Sequence, residues 1–260
     1  PNTSAESARL KIQHELSLID ANGALHLAPL PDHLLHVADI GSGTGIWAKE
    51  FGSLHPQTQV LGIDLSFPPD FSSTAPSNAK FAVGNIQEPW PIPAGLKFDF
   101  IHGRQILINL PDPKAALRHV YNNLRPGGIV EFREWTRLGC QTTQGGRSTP
   151  PPLIIEWVQR VAGSARIING CNLGFTGQME QAIEEVGFLD IHVQNTEFPI
   201  GGWLMGEDEK DYERQKKLDK LARKMWQSGM PNMARSMFIK AFGWTEEEAV
   251  EFAERVMEDL

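Results

Sequence analysis

The sequence predicts an α/β protein with a doubly wound, mostly parallel sheet. Apolar runs of strand length alternate with helical or loop segments from residue 34 to residue 135. The first run ends in a glycine-rich turn at residues 41–45, and an amphipathic stretch follows it. The second run ends in a carboxylate, Asp64. Ligands of open parallel sheets bind at the carboxyl ends of the strands, so a ligand site is expected at that edge.

The elements of the predicted core are read from apolar periodicity and from glycine and proline stop signals. Strands are expected at residues 34–40, 59–64, 80–84, 97–102, 128–135 and 188–200, and helices at 5–22, 44–54, 110–124, 152–163 and 176–186. Residues 66–78 are rich in proline and serine and are expected to form a loop that can include a short turn but no regular helix.

The last part of the chain is predicted to be helical. Helices are expected at residues 208–228, 232–242 and 246–258. The last of these is preceded by Thr245 and carries Glu248 three positions later, which is a capping box. We therefore expect residues 1–33 to form an N-terminal helical cap, 34–200 a ligand-binding core and 201–260 a C-terminal helical substrate cap, all within one compact domain.

The glycine turn has the spacing GxGxG, because its third glycine is Gly45 and position 46 is isoleucine. A dinucleotide fingerprint would read GxGxxG. Asp39 lies two residues before Gly41, and its charge would repel a pyrophosphate. The same charge would attract a ligand with a cationic amino acid end. S-adenosyl-L-methionine (SAM) is such a ligand, whereas a nicotinamide cofactor, and with it an oxidoreductase, is disfavoured.

Polar residues follow the next strands as well. A carboxylate such as Asp64 at the end of the second strand suits ribose hydroxyls. Asn85 and Ile86 follow the third strand and would offer an adenine one polar and one apolar contact. Arg104 follows the fourth strand and could pair with a carboxylate. An ordinary strand-ending turn at Asn85 and a surface salt bridge at Arg104 stay open as alternatives.

Composition excludes several classes of function. The chain has 260 residues and a net charge of −8, which argues against nonspecific nucleic-acid binding. It has two cysteines, which lie far apart, so we expect neither a disulfide framework nor a zinc site. The same cysteine content predicts a reducing, cytoplasmic compartment. No metal site, signal peptide or membrane-spanning segment is predicted.

Five segments, in this order and spacing, resemble a class I SAM-dependent methyltransferase with a Rossmann-like, seven-stranded sheet: VADIGSGTGIWAKEF, VLGIDLS, EPW, FDFIHGR and LRPGGIVEFRE. The chain is most similar to the fungal LaeA-like methyltransferases of secondary metabolism. The segments RLKIQHELSLIDANGALHLAPL, VQNTEFPIGGW and FGWTEEEAVEFAERV support this closer resemblance, which covers nearly the whole chain.

The resemblance implies roles for individual residues. The methionine end and backbone of SAM would be held by Asp39, Gly41, Ser42 and Gly43, the ribose by Asp64, and the adenine by Leu65, Asn85 and Ile86. The methionine end and the methyl-transfer mouth would be lined by His102 and Arg104, with His14 as a further candidate.

The sequence departs from the family at two places. Gly84-Asn85 stands where the family usually has an acidic pair, although an asparagine can still accept a hydrogen bond from the adenine amino group. The family's final aromatic-rich strand and basic tail are not present before Leu260. Either the chain is cut short or the sheet lacks its seventh strand, and the first is expected.

The predicted function is transfer of a methyl group from SAM to a small secondary metabolite, most simply to oxygen, with S-adenosyl-L-homocysteine as the product. If the acceptor is a hydroxyl, a general base would assist, and the candidates are His14, His102 and Glu134. Two alternatives stay open: a regulatory or non-catalytic member that acts through a protein partner, and a methyltransferase fold turned to another reaction such as cyclisation. The expected partner is a small-molecule substrate, with no nucleic acid and no membrane, and a protein partner or a homodimer stays open.

Overall fold

A computed structural model describes residues 4–135, 152–196 and 208–258. The chain divides into two compact units. The described part of the first unit comprises residues 4–10, 24–135 and 174–192, and that of the second comprises 11–23, 152–173, 193–196 and 208–258.

The first unit contains a five-stranded parallel sheet. Its strands are β1 His36–Ile40, β2 Gln59–Asp64, β3 Ala79–Val83, β4 Phe98–Arg104 and β5 Leu124–Arg133, in the spatial order β3-β2-β1-β4-β5. The chain runs outward from β1 to β3 and then crosses back to β4 on the other side of β1. This reversal creates a switch point beside the carboxyl end of β1, where ligands of such sheets bind.

The helices, in chain order, are α1 Ser4–Asp20, α2 Ile46–Leu54, α3 Phe71–Thr74, α4 Pro113–Asn123, α5 Pro152–Asn169, α6 Met179–Val186, α7 Glu209–Phe242 and α8 Glu246–Glu258. Short 3-10 helices lie at Leu107–Asn109 and Phe175–Gln178. Within the described residues, no helix is both long enough and apolar enough to span a membrane.

Both faces of the sheet are covered within the first unit. One face packs against α4 and α6 through a buried cluster that includes Ile40, Ile63, Ile101, Leu117, Val120 and Ala182. On the other face, Trp47 and Phe51 of α2 lie against Phe100 of β4. Apolar strands covered on both sides are what a doubly wound parallel sheet requires, so the predicted fold class is confirmed.

In the second unit, α5, α7 and α8 surround a separate core centred on Trp157, Phe238 and Phe252. Leu16 of α1 packs on Leu218 and Ala222 of α7. Whether residues 1–33 and 201–260 act as caps over a substrate stays a prediction.

Several element boundaries differ from the sequence prediction. The strand expected at 188–200 is wrong for residues 188–196, which form no strand, and residues 197–200 lie outside the described part. Leu189 is 86% exposed and Val193 is 59% exposed, and Phe188 packs on the core of the first unit without forming a strand. The loop expected at 66–78 contains the single helical turn α3, which agrees with the short turn that the sequence allows there.

Two helices are longer than expected. The helices predicted at 208–228 and 232–242 form one helix, α7, with Pro231 inside it. Helix α5 continues to Asn169 rather than ending near residue 163. The sequence also predicts a polar loop at residues 139–152, and this segment falls almost wholly outside the described residues.

Candidate functional site

The glycine turn connects β1 to α2 and carries three glycines with positive φ: Gly41 at 66°, Gly43 at 57° and Gly45 at 70°. The backbone N–H groups of Gly41 and Ser42 both donate to the carbonyl oxygen of Ile63, at 2.9 and 3.1 Å. A Cβ atom on Gly45 would lie 2.4 Å from Cδ2 of Phe71. The turn is therefore fixed against β2 and leaves no room for a side chain at Gly45.

Asp39 lies beneath this turn and is 3% exposed. Its Oδ1 is 2.8 Å from Nδ1 of His102, and its Oδ2 accepts a 2.6 Å hydrogen bond from the hydroxyl of Ser42. Both carboxylate oxygens are thus engaged within the protein. The sequence predicts that Asp39 holds the methionine end of SAM, but in this geometry its charge acts from below, through Ser42.

His102 is 1% exposed and stacks on Trp47, with ring centroids 4.0 Å apart and planes 2° from parallel. Burial lowers the pKa of His102, and the hydrogen bond and charge of Asp39 only partly oppose this effect. The ring is therefore neutral at physiological pH. Because Nδ1 faces a carboxylate, we assign its proton to Nδ1, which leaves Nε2 as a bare acceptor. Nε2 is buried without a hydrogen-bond partner among the described residues.

Asp64 at the end of β2 contacts the glycine turn directly. Its Oδ2 accepts a 2.9 Å hydrogen bond from the N–H of Gly43, and its Oδ1 accepts a 3.3 Å hydrogen bond from the N–H of Ser66. Leu65 follows it with 72% of its surface exposed. A half-buried carboxylate beside an exposed apolar side chain is the arrangement expected for a ribose next to an adenine.

Asn85 and Ile86 follow β3, as predicted. The side-chain oxygen of Asn85 accepts from the N–H of Gln87 at 3.1 Å, and its amide nitrogen donates to Glu88 at 3.1 Å. Ile86 is 4% exposed and belongs to the core of the first unit. Its side chain therefore has little surface left for an adenine face.

Arg104 ends β4 and is half-buried. Burial lowers its pKa to about 10, with the charge of Asp39 opposing the shift and that of Arg133 adding to it. The guanidinium is still fully charged at neutral pH. It can therefore pair with a ligand carboxylate at the switch point.

Glu134 lies immediately beyond the end of β5. Its Oε1 accepts hydrogen bonds from the N–H groups of Ile106 and Leu107, at 2.9 and 2.8 Å, while its Oε2 is buried with no hydrogen-bond partner in the described structure. Burial raises its pKa from 4.5 to about 7, against the effect of these backbone donors. His14, the third candidate base, is 2% exposed and lies in the second unit.

Two residues of this region were not identified from the sequence. Trp47 stacks on His102 and donates its Nε1–H to the carbonyl of Leu25 at 2.8 Å. Glu131 pairs in register with His102, and its Oε2 accepts the N–H groups of Leu27 and Ala28 at 2.7 and 2.6 Å. Glu131 could have been identified from the sequence as a charged residue inside an apolar strand. For Trp47 the sequence offers nothing beyond its place in α2.

The structure thus brings together the predicted residues of three neighbouring strands, β2, β1 and β4. Asp39, Ser42 and His102 form one hydrogen-bonded group, and Asp64 joins Gly43 to the end of β2. A family described as a methyltransferase domain matches residues 13–193. The chain belongs to this methyltransferase family. The prediction of a SAM-dependent methyltransferase is thereby confirmed.

Relatives of this methyltransferase come from fungi. It is 32% identical over 249 residues to "Methyltransferase pytC" of Aspergillus terreus, covering 95% of this chain and 73% of the relative. It is 26% identical over 221 residues to "Secondary metabolism regulator LAE1" of Cochliobolus heterostrophus, covering 82% of this chain and 69% of that protein. The resemblance to LaeA-like fungal proteins of secondary metabolism is confirmed.

Among solved structures, the methyltransferase is similar in fold to the Haemonchus contortus phosphoethanolamine N-methyltransferase 2 in complex with SAM. The TM-score is 0.52 at 19% identity, and the match covers 97% of this chain and 48% of that one. This likeness agrees with the Rossmann-like methyltransferase fold predicted from the sequence.

The residues present fit SAM as the cofactor. The donor set is a carboxylate beneath a glycine turn, a second carboxylate on the adjacent strand and a charged guanidinium on the third, with an exposed apolar side chain at Leu65. These groups match an ammonium, a ribose, a carboxylate and an adenine. Among the described residues, no three His, Cys, Asp or Glu side chains cluster as a metal site would require.

Proposed function

We propose that this methyltransferase transfers a methyl group from SAM to an oxygen of a small secondary metabolite. The assignment of SAM as cofactor rests on the hydrogen bond from the N–H of Gly43 to Asp64. This bond joins the glycine turn and the end of β2 into one surface. The methyl-transfer part is supported by the similarity to pytC, a fungal protein named as a methyltransferase, whereas the choice of oxygen rests on the sequence prediction alone.

The cofactor would lie along the carboxyl ends of β1, β2 and β3. Its methionine end would rest on Gly41, Ser42 and Gly43, with Asp39 supplying negative charge from below. Arg104 would face the ligand carboxylate. The ribose would bond to Asp64, and the adenine would lie between Leu65 and Asn85.

Bound SAM supplies an electrophilic methyl group on a sulfonium, so the protein's task is mainly alignment of the acceptor with that methyl. Proton removal from a hydroxyl acceptor can assist. His14, His102 and Glu134 stay candidates for this step. His102 has Nε2 as a bare acceptor but is 1% exposed and stacked on Trp47. Glu134 uses one oxygen for two backbone donors and buries the other, so neither side chain presents an accessible base in this geometry.

The proposal is tested first by calorimetric titration of the protein with SAM, S-adenosylhomocysteine and NAD in parallel. We expect micromolar binding of both sulfur ligands and no binding of NAD. Turnover is then measured by mass spectrometry on a panel of phenols, carboxylic acids, amines and thiols. Methylation of amines alone would contradict the choice of oxygen and leave the cofactor assignment in place.

The similarity to a protein named as a regulator of secondary metabolism favours a second candidate, a SAM-binding protein that acts through a protein partner. The charged helix α7 would offer a surface for such a partner, although a solvated face accounts for its charges equally well. Turnover of an isolated metabolite supports the enzyme. Micromolar SAM binding with no turnover on any class of acceptor supports the regulator. We also propose a reducing, cytoplasmic location, because the sequence has two cysteines that lie far apart.

A further inference from the structure

Two glycines at the switch point, Gly41 and Gly103, both lie against the side chain of Ile106, and Gly103 also lies against Phe132. Gly103 of β4 pairs in register with Ile40 of β1, so it lies next to Gly41, the first residue of the glycine turn. A Cβ atom on Gly41 would lie 2.6 Å from Cδ1 of Ile106, and one on Gly103 would lie 3.2 Å from Cγ2 of the same residue. The side chain of Ile106 therefore packs directly on the backbone of the turn.

The position of Ile106 is set by a strained connection. Gln105, the residue before it, has a φ of 56°, which is uncommon for a residue with a side chain. The N–H of Gln105 donates to the carbonyl of Arg133 at 2.9 Å and prolongs the β4–β5 ladder by one bond. Beyond that bond the chain turns sharply, and a further contact is needed to fix where Ile106 points.

Glu134 supplies that contact. Its Oε1 accepts the N–H groups of both Ile106 and Leu107, at 2.9 and 2.8 Å. The acceptor of both bonds is anchored by strand β5, because Glu134 directly follows Arg133, the last residue of that strand. A rigid strand end thus holds the backbone whose side chain packs on Gly41.

We propose that Glu134 is a positioning residue that supports the cofactor-binding turn through Ile106, and not the general base. The proposal rests on the proposed function, because it takes residues 41–43 as the place where the methionine end of SAM binds. If Glu134 supports the turn, its removal weakens cofactor binding. If Glu134 were only the proton acceptor, its removal would slow turnover and leave cofactor affinity unchanged.

Two variants separate these roles. Glu134→Gln keeps a side-chain oxygen that can accept both N–H bonds but cannot act as a carboxylate base. Glu134→Ala removes the acceptor altogether. We expect the affinity for S-adenosylhomocysteine to fall about tenfold in Glu134→Ala and to stay within about threefold of wild type in Glu134→Gln, since one tenfold step corresponds to a hydrogen-bond contribution of ordinary size.

Hydrogen exchange of the ligand-free protein gives a readout that needs no activity. The amides of Ile106 and Leu107, followed in peptides covering residues 104–110, should exchange faster in Glu134→Ala and at the wild-type rate in Glu134→Gln. Glu185→Ala is the matched control, because Glu185 is an exposed glutamate of the same unit whose carboxylate pairs with Lys114. It should change neither exchange nor affinity.

A third variant keeps the test informative if Glu134→Ala does not fold. Ile106→Val removes Cδ1, the atom that lies closest to Gly41, and leaves both backbone donors in place. It should weaken S-adenosylhomocysteine binding by about threefold while the exchange of residues 104–110 stays at the wild-type rate. Unchanged affinity in Ile106→Val would overturn the proposed route from Glu134 to the turn.

The remaining outcomes decide between the hypotheses. Wild-type affinity in Glu134→Ala overturns the positioning role. Loss of turnover in Glu134→Gln, with affinity and exchange at wild-type values, overturns it in favour of a general base. If the wild-type protein does not bind S-adenosylhomocysteine, both the proposed function and this inference are contradicted. If the wild-type protein binds it and Glu134→Ala binds it equally well, this inference alone is contradicted.

Discussion

At the scale of single residues, Asp64 is the side chain whose removal should weaken cofactor binding most directly. Its carboxylate fixes Gly43 and faces the proposed ribose position. Asp64→Ala should weaken S-adenosylhomocysteine binding by about 10- to 100-fold, since hydrogen bonds to charged groups contribute about 1.5–3 kcal/mol. Calorimetric titration measures this effect. Asp70→Ala, an exposed carboxylate in the same loop, is the control, and equal affinities for the two variants would remove the ribose assignment.

His102 allows a finer experiment, because its two ring nitrogens have different partners. Asparagine can place a donor near the position of Nδ1, which faces Asp39, whereas glutamine places its amide nearer to Nε2. His102→Asn should therefore hold Asp39 in place and retain cofactor affinity better than His102→Gln. Titration of both variants with S-adenosylhomocysteine tests this order, and the reverse order would show that Nε2 is the nitrogen that matters. Alanine is a poor choice here, since it would leave a cavity beside Trp47.

At the scale of elements, helix α8 shows a local signal that the sequence predicts fully. The N–H of Thr245 donates to Oε2 of Glu248 at 2.8 Å, and the N–H of Glu248 donates to Oγ1 of Thr245 at 3.2 Å. Thr245→Ala should lower the free energy of unfolding by about 1 kcal/mol, whereas Thr245→Ser should change it little. Urea unfolding followed by circular dichroism measures both. Equal losses in the two variants would mean that the capping bond contributes nothing.

Elements whose signals are local were predicted well, and those that depend on distant partners were not. The bounds of β2 and α8 agree with the sequence prediction, because apolar period and end signals lie within each segment. Pro231 suggested a break between two helices, yet α7 continues through it. Buried Met230 and Ala234 on either side anchor the helix in the core of the second unit, which outweighs the one lost backbone bond.

At the scale of the whole molecule, the sequence predicted which residues would gather at the switch point but not what each would contact. Parallel strands bring their carboxyl ends to one edge, so Asp39, Asp64 and Arg104 had to be neighbours there. Asp39 is held by His102, which lies 63 residues along the chain and stacks on Trp47 of α2, and no local pattern encodes that contact. The burial of Ile86 in the core is a similar case, since it is decided by α4 and the turn after β3.

The two buried titratable groups of this site should give the stability of the protein opposite dependences on pH. The pKa of His102 is lowered in the folded state, so below about pH 6.5 the unfolded chain binds the extra proton and stability falls as the pH is lowered. The pKa of Glu134 is raised from 4.5 to about 7, so between these values the unfolded chain loses a proton that the folded chain keeps, and stability falls as the pH is raised.

These two effects oppose each other in the window from pH 4.5 to 6.5, and single variants should separate them. Glu134→Gln removes the glutamate effect, so on acidification below pH 6.5 its stability should fall more steeply than that of the wild type. His102→Asn removes the histidine effect, so between pH 4.5 and 7 its stability should fall more steeply than that of the wild type as the pH is raised. The contribution of Glu134 to that fall is about 1–3 kcal/mol, the upper figure being 2.5 pKa units reduced for partial exposure. Urea unfolding of the three proteins across this range measures the slopes. Other groups with shifted pKa values, such as His55 and Glu6, titrate equally in all three proteins, so each slope is compared with that of the wild type. Slope changes of the same sign in the two variants would mean that one of the two groups is ionised differently from the geometry described.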